Sequence, residues 1–243
     1  MPRGHLYGIG VGPGDPELMS VKADRLIRST PTVAYFAAKG RPSNARRVAG
    51  HLLTPGHREI RIEYPVTVEV LRPDQSYEDL LVECYDRAAE EVAAVLDTGG
   101  DVAVICEGDP FFYGSYMYLH NRLSARYDTT VVPGISSPVA GSAALSRPLV
   151  CGTEVVSVLS AVLSETDLKS ALAACDAAVI IKVGRNLAKV RSAVESVGLG
   201  DRAFYVERAT WAEQVTAPLA EAPESGAPYF SMVVVPSATA CNR

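Results

Sequence analysis

Hydrophobic positions in the first half of the chain fall alternately into short continuous runs and helical stripes. Runs such as HLYGIG, TVAYF and DVAVI are typical of buried strands. Between residues 81 and 95, apolar or aromatic side chains recur every three to four positions, which predicts a helix with one core-facing stripe. Strands that alternate with helices predict parallel βαβ units, and hence an α/β fold.

The pattern changes after VVPG, where small residues follow a predicted strand. We place a domain boundary there, which gives an N-terminal α/β lobe over residues 1–132 and a C-terminal α/β lobe over 133–243. In both lobes, apolar stripes and turn residues predict the remaining elements. The predicted helices cover residues 16–29, 44–53, 113–126, 165–174 and 186–197, and predicted strands begin near residues 58, 129, 154, 177, 202 and 229.

Composition narrows the class of protein. Of the 243 residues, 48% are hydrophobic and 21% are charged, but no apolar run approaches the length of a membrane span. No targeting segment precedes the first strand, so we expect a cytoplasmic protein. The five cysteines and four histidines are scattered without metal-ligand spacing, which predicts no metal site and reduced thiols. A net charge of -5 argues against nucleic-acid binding.

One segment has the opposite charge. No aspartate or glutamate lies between Arg25 and Arg58, whereas residues 39–47, which we call the basic segment, contain four cations. These cations are Lys39, Arg41, Arg46 and Arg47. The charge alone is compatible with two interpretations, a solvated helix face or a docking site for a polyanionic small molecule.

Two glycine-containing loops follow predicted strands. The first, within GIGVGPGDP, lacks the G-x-G-x-x-G spacing and the later acidic residue of a dinucleotide site, and the chain contains no G-x-x-x-x-G-K-[ST]. The second, within CEGDPFFYGSY, again has Gly-Asp-Pro before a predicted helix. Ligands of open α/β sheets bind outside the carboxyl ends of the strands, so we expect both loops to line one crevice.

Four motifs in this order, YGIGVGPGDPELMSVKA, CEGDPFFYGSY, VVPGISS and VERATWAEQ, closely resemble the tetrapyrrole methyltransferases of cobalamin and sirohaem synthesis. Within that family, VAYFAAKGRPSNARRVA and EGDPFFYGSYMYL are most similar to members that methylate C20 of precorrin-2 to give precorrin-3A. The resemblance covers nearly the whole chain. It implies a homodimer whose N-terminal lobe has a mostly parallel sheet on the tetrapyrrole side of a cleft, with a mixed C-terminal sheet on the cofactor side.

The resemblance also implies the cofactor S-adenosylmethionine, whose product is S-adenosylhomocysteine. Carried over by motif position, its contacts are Pro13, Glu107, Gly108, Asp109, Phe112, Ser136, Ser137, Lys182 and Ala209. Relatives often have methionine or leucine at position 182 and glycine at 209. The tetrapyrrole is a polycarboxylate, which gives the basic segment a plausible ligand. Tyr113 and Glu107 are candidate bases for the C20 proton, beside water and the substrate's own carboxylates.

Three classes of function stay open. The first is C20 methylation of precorrin-2, either metal-free or loaded with cobalt. The second is methylation by the same fold of another tetrapyrrole carbon or of a diphthine-type protein substrate. The third is a non-catalytic protein that binds a nucleotide-like ligand and releases no methylated product. The basic segment and the aromatic second loop favour a tetrapyrrole over a protein substrate.

Overall fold

A computed structural model describes residues 2–65 and 76–238. The chain divides into two compact units, Met1–Ser136 and Ser137–Arg243. The division follows residue 136, whereas the sequence predicts it after residue 132. Residues just after the last strand of the first unit still bind within that unit, because the Gly134 N–H donates to Asp109.

The first unit is built on a five-stranded parallel sheet with the order β3-β2-β4-β1-β5. Its strands are β1 (Leu6–Gly10), β2 (Thr32–Ala38), β3 (Arg58–Tyr64), β4 (Val102–Cys106) and β5 (Thr129–Val132). Its helices are α1 (Val21–Ser29), α2 (Asn44–Val48), α3 (Tyr77–Leu96) and α4 (Tyr116–Leu123), with 3-10 turns at Pro16–Leu18 and Gly50–Leu52.

The central strands of this sheet are buried on both faces, which explains their continuous apolar sequences. Ala34 and Phe36 of β2 belong to a core cluster that contains Val92 of α3 and Leu119 of α4. Residues of the opposite parity, such as Tyr35, point to the other face and are buried as well. Helix α2 contacts β2 and β4. The unit therefore has helices on both faces of a parallel sheet.

The second unit contains a mixed five-stranded sheet with the order β6-β7-β10-β8-β9. Only β6 and β7 pair in parallel, and the other three pairs are antiparallel. Its strands are β6 (Val156–Ser160), β7 (Ala177–Ile181), β8 (Phe204–Glu207), β9 (Val215–Pro218) and β10 (Ser231–Val235). Its helices are α5 (Ser137–Ala144), α6 (Glu165–Ala173) and α7 (Leu187–Ser196), with 3-10 turns at Gly184–Asn186, Gly200–Arg202 and Leu219–Glu221.

The helices of the second unit also cover both faces of its sheet. Leu168 of α6 and Val190 of α7 belong to one core cluster, with Val233 of β10. Ala140 of α5 belongs to another cluster, with Val234 of the same strand. Consecutive residues of a strand point to opposite faces, so α5 lies on the other side of the sheet from α6 and α7. The α/β class predicted for both units is confirmed.

The cysteine prediction needs a correction. Cys84, Cys106 and Cys175 are free thiols, but Cys151 is disulfide-bonded. Cys241 lies outside the described residues. The expectation of reduced thiols rested on the scatter of cysteines along the sequence, and spacing in sequence does not limit which cysteines meet in space.

Candidate active site

The loops that follow β1 and β4 are joined to each other at the carboxyl edge of the first sheet. We call residues 11–15 the first loop and residues 107–115 the second loop. Gly12 and Gly108 form an antiparallel bridge, with N–H to carbonyl distances of 2.8 and 3.3 Å. The Val11 N–H donates to the Cys106 carbonyl at 2.9 Å. Because these amides bind carbonyl groups, they do not form a phosphate-binding nest.

A third chain segment, after β5, packs against the same place. The Asp109 carboxylate accepts the Gly134 N–H at 3.0 Å with one oxygen and the Phe111 N–H at 2.9 Å with the other. A Cβ atom placed on Gly134 would lie 1.9 Å from the Gly108 carbonyl oxygen. Ser136 is also near, since its Cα lies 3.8 Å from the position that a Cβ on Gly108 would take. Five predicted site residues, Pro13, Glu107, Gly108, Asp109 and Ser136, thus lie along one edge.

Glu107 connects the second loop to the basic segment. Its Oε1 accepts the backbone N–H of Ala45, in the first turn of α2, at 3.2 Å. Burial raises the pKa of the Glu107 carboxyl group above its ordinary value, and N–H donors, including that of Ala45, lower it to a smaller extent. A carboxylate whose pKa is raised is a stronger proton acceptor than an exposed carboxylate.

We expect Glu107→Gln to increase the free energy of unfolding at about pH 7. A carboxyl group whose pKa is raised on folding destabilises the folded state once the pH exceeds its unfolded value, because the unfolded chain then ionises first. The amide removes this effect, and its oxygen can still accept the Ala45 N–H. The increase should disappear at about pH 4, which urea denaturation at the two pH values measures.

Glu59 provides a matched control with the opposite sign. Its pKa is lowered, mainly because Arg46 donates hydrogen bonds to it. Glu59→Gln should therefore decrease stability at neutral pH, and the decrease should shrink as the pH falls through the lowered pKa. If the Glu107 and Glu59 variants changed stability in the same direction at neutral pH, the argument from burial would be wrong.

The aromatic residues of the second loop and α4 divide between core and surface. Tyr116 is fully buried, whereas Phe111 and Tyr113 are about half exposed, at 47% and 50%. Tyr113 has a φ of 56°, which is uncommon for a non-glycine residue. Its ring packs edge-on against Phe112, with 5.1 Å between centroids. The candidate base Tyr113 therefore lies on an exposed part of the loop.

The cations of the basic segment differ in exposure, and Arg46 is the least exposed of them. Lys39, Arg41 and Arg47 are exposed. Arg46 instead binds Glu59 of β3 through two nitrogens, at 2.9 and 3.0 Å. Glu59 lies near the amino end of its strand, whereas Lys39 and Arg41 follow the carboxyl end of β2. The structure thus gives Arg46 a protein partner away from the edge that carries the loops.

The two residues after β7 and β8 that are predicted to contact the cofactor lie at one edge of the second sheet. Lys182 follows β7 and Ala209 follows β8, and both strands are antiparallel to β10. Lys182 is exposed, with a φ of 58°. Ala209 is 6% exposed, and its side chain belongs to a core cluster. Its neighbours Arg208 and Thr210 have φ values of 47° and 70°.

Ser137 begins α5 and is half-buried. It is the first residue of the second unit, whereas Ser136 is the last of the first. The structure also shows a contact that the motifs do not contain. Arg61 of β3 reaches the backbone of the basic segment, with 2.8 Å between its Nη2 and the Arg41 carbonyl oxygen. Its position depends on strand register, and no local sequence signal indicates it.

Two features of the described residues bear on the type of site. Over residues 2–65 and 76–238, no three histidine, cysteine or acidic side chains come together as a metal site would require. Across the same residues, none of the helices combines the length and apolar character needed to span a bilayer.

The sequence and the fold both match known proteins. The family model of tetrapyrrole (corrin/porphyrin) methylases matches residues 5–223. A precorrin-2 C(20)-methyltransferase from Sinorhizobium sp. is 46% identical over 233 residues, covering 96% of this chain and 95% of that protein. The cobalamin biosynthesis protein CobIJ of Mycobacterium tuberculosis is also 46% identical, over 96% of this chain.

The chain spans about half the length of CobIJ, since the match covers 46% of that protein. Among solved structures, uroporphyrin-III C-methyl transferase from Thermus thermophilus, complexed with S-adenosyl homocysteine, superposes with a TM-score of 0.67. The two chains are 23% identical, and the superposition covers 96% of this chain and 92% of that one. This similarity establishes the fold.

Proposed function

Because the chain belongs to the tetrapyrrole (corrin/porphyrin) methylase family, we propose that it transfers a methyl group from S-adenosylmethionine to C20 of precorrin-2. The observation that carries this proposal is the 46% identity to a precorrin-2 C(20)-methyltransferase over 95% of that protein. The product would be precorrin-3A. Metal-free precorrin-2 is the proposed substrate, and its cobalt complex is tested beside it.

The loops of the first unit fit a cofactor that carries no phosphate. The N–H groups of Val11, Gly12 and Gly108 bind backbone carbonyl groups, so these three amides are not available to a phosphate. Small residues let a ligand approach the backbone closely. We propose that Pro13, Gly108 and Ser136 contact the cofactor there. Ser137, Lys182 and Ala209 belong to the same proposal, Ala209 through its backbone.

The proposed roles of three further residues follow from their contacts. Asp109 accepts the Phe111 N–H within its own loop with one carboxylate oxygen and the Gly134 N–H after β5 with the other, which makes it a positioning residue beside the cofactor. Phe112 packs against Tyr113 and offers an apolar ring. For the substrate's carboxylates we propose the exposed cations Lys39, Arg41 and Arg47. We leave Arg46 out of this set because it is bound to Glu59.

The reaction needs little covalent chemistry from the protein. When bound, S-adenosylmethionine supplies a methyl group on a sulfonium, and the electron-rich C20 carbon is itself the nucleophile. The chain's part is to hold the reactants in line, which can contribute about 7 to 11 kcal/mol, and to accept the C20 proton. Glu107, with its raised pKa, and Tyr113 are the proposed alternatives for that base.

The test is an anaerobic incubation of the chain with precorrin-2 and methyl-labelled S-adenosylmethionine, followed by mass and carbon NMR analysis of the tetrapyrrole. We expect one labelled methyl group, at C20. Label at another carbon, or only on cobalt-precorrin-2, would overturn the proposed regiochemistry or substrate. S-adenosylhomocysteine retained without label in the macrocycle would point to a binding protein. In the same assay, an unchanged kcat in Tyr113→Phe and Glu107→Gln would eliminate a protein base.

The homodimer and the cytoplasmic location stay predictions from the resemblance and the composition. Light scattering coupled to gel filtration tests the first, and a mass of one chain at assay concentration would contradict it. Fractionation of the source cells tests the second.

A further inference from the structure

The turn that carries two of the proposed substrate cations is held in place through its carbonyl groups. Residues 38–41 form a β-turn, closed by a hydrogen bond of 3.0 Å from the Arg41 N–H to the Ala38 carbonyl. Gly40, at the third position of the turn, has a φ of 69°, a backbone conformation that glycine adopts without steric cost. Lys39 and Arg41 both lie on this turn and are exposed.

Arg61 binds this turn from the neighbouring strand β3. Its Nη2 donates to the Arg41 carbonyl at 2.8 Å and, more weakly, to the Ala38 carbonyl at 3.4 Å. Its Nε donates to Glu63 Oε1 at 2.8 Å, which fixes the plane of the guanidinium. These contacts use two nitrogens of one planar group, and an ammonium group cannot reproduce that geometry.

The energetics of the Arg61 contacts indicate a role in ligand binding more than in the stability of the fold. The side chains of Arg61 and Glu63 are 37% and 45% exposed. Exposed ion pairs contribute little to stability, about 0 to 1 kcal/mol. The turn, in contrast, carries its cations on a short exposed segment, where small backbone movements displace the charged groups. Preorganised charges bind a ligand more tightly than mobile ones, because less conformational entropy is lost on binding.

We propose that Arg61 is a positioning residue that holds the turn at residues 38–41, and with it Lys39 and Arg41, in the geometry that binds the carboxylates of the tetrapyrrole. This inference rests on the proposed function for the identity of the ligand. The anchoring of the turn itself does not depend on which ligand binds.

The test compares Arg61→Gln with Arg61→Lys, which keeps the charge but lacks the planar fork. We expect both to raise KM for precorrin-2 by about three- to tenfold, with kcat and the Kd of S-adenosylmethionine unchanged. Glu63→Gln, which leaves Arg61 in place without its orienting partner, should give a smaller rise. Arg58→Gln, at the other end of the same strand, is the matched control and should leave KM unchanged.

A normal KM in Arg61→Lys would show that the charge alone is needed, and would overturn the proposal. Amide hydrogen exchange, followed by NMR, gives a second readout that needs no substrate. The Arg41 N–H should exchange faster in both Arg61 variants and at the wild-type rate in Arg58→Gln. Unchanged exchange would refute the anchoring, whereas faster exchange in a chain that does not methylate precorrin-2 would refute only the proposed function. If Arg61→Gln fails to fold, Glu63→Gln provides both measurements.

Discussion

Replacing Gly134 by alanine is expected to lower the free energy of unfolding by about 3 kcal/mol and to weaken cofactor binding. The added Cβ would lie 1.9 Å from the Gly108 carbonyl oxygen and 2.9 Å from the Gly10 Cα. Both neighbours are backbone atoms, one in the second loop and one at the end of β1, so neither can rotate away as a flexible side chain could. Relief requires that the segments after β1, β4 and β5 separate.

Urea denaturation measures the stability change, and calorimetry with S-adenosylmethionine measures the change in binding. Gly56→Ala is the matched control in the same unit, because the nearest atom to its added Cβ is Thr54 Oγ1 at 3.6 Å. It should shift stability by no more than about 0.5 kcal/mol. A Gly134→Ala protein with the stability of the Gly56→Ala protein would show that the loops are not tightly joined.

The second large effect should come from reversing the two charges of the turn. We expect Lys39→Glu combined with Arg41→Glu to lower kcat/KM for precorrin-2 by about 100-fold. Each lost charge-assisted hydrogen bond costs about 1.5 to 3 kcal/mol, and partial solvation reduces that amount at exposed positions. The loss should appear in KM, because these side chains bind carboxylates that do not react. Raising the salt concentration should narrow the gap between variant and wild type.

Lys22→Glu combined with Arg25→Glu controls for the change in net charge. Lys22 and Arg25 are exposed on α1. Their substitution replaces the same number of positive charges by negative ones as the substitution of Lys39 and Arg41 does. That variant should keep a KM near the wild-type value. A comparable loss of kcat/KM in both double variants would mean that the overall field of the protein attracts the substrate, with no particular role for the turn.

The strands that the sequence predicts best are those buried on both faces. Strands β2, β4, β7 and β10 contain almost only buried residues, so their apolar runs need no knowledge of the fold to be recognised. Strand β9 is mostly exposed and was not predicted, because VTAP lacks both an apolar run and a clear alternation. The sequence does not predict helix α5 for a related reason, since SPVAGSAA consists of small residues without an amphipathic stripe.

Helix boundaries depend on backbone details that a pattern of apolar residues does not contain. The predicted helix over residues 16–29 is a 3-10 turn at Pro16–Leu18 followed by α1. Ser20 separates them, with a ψ of 146° and a side chain that accepts the Ala23 N–H. Asp15 caps the first turn in a similar way, since its side chain accepts the Glu17 N–H.

The candidate site also has parts that the sequence predicts and parts that it does not. The loops could be predicted because Gly-Asp-Pro and the surrounding glycines lie at fixed positions after buried strands. The roles of Arg46 and Arg61 could not, because each depends on the register of β3 against β2, in which Arg61 is paired with Tyr35. A charge count places Arg46 in the basic segment and leaves Arg61 outside it, and only the structure shows that Arg46 is bound to Glu59 and that Arg61 reaches the Arg41 carbonyl.

The position of β1 within its sheet has a consequence for synthesis on the ribosome. This strand is made first, yet it lies between β4 and β5 and pairs with both. At about 5 to 20 residues per second, the ribosome needs roughly 6 to 25 s after β1 to complete β5. Through that interval the nascent chain exposes unpaired apolar strand edges, the kind of surface that chaperones bind. The first unit can close only when its last strand has left the exit tunnel.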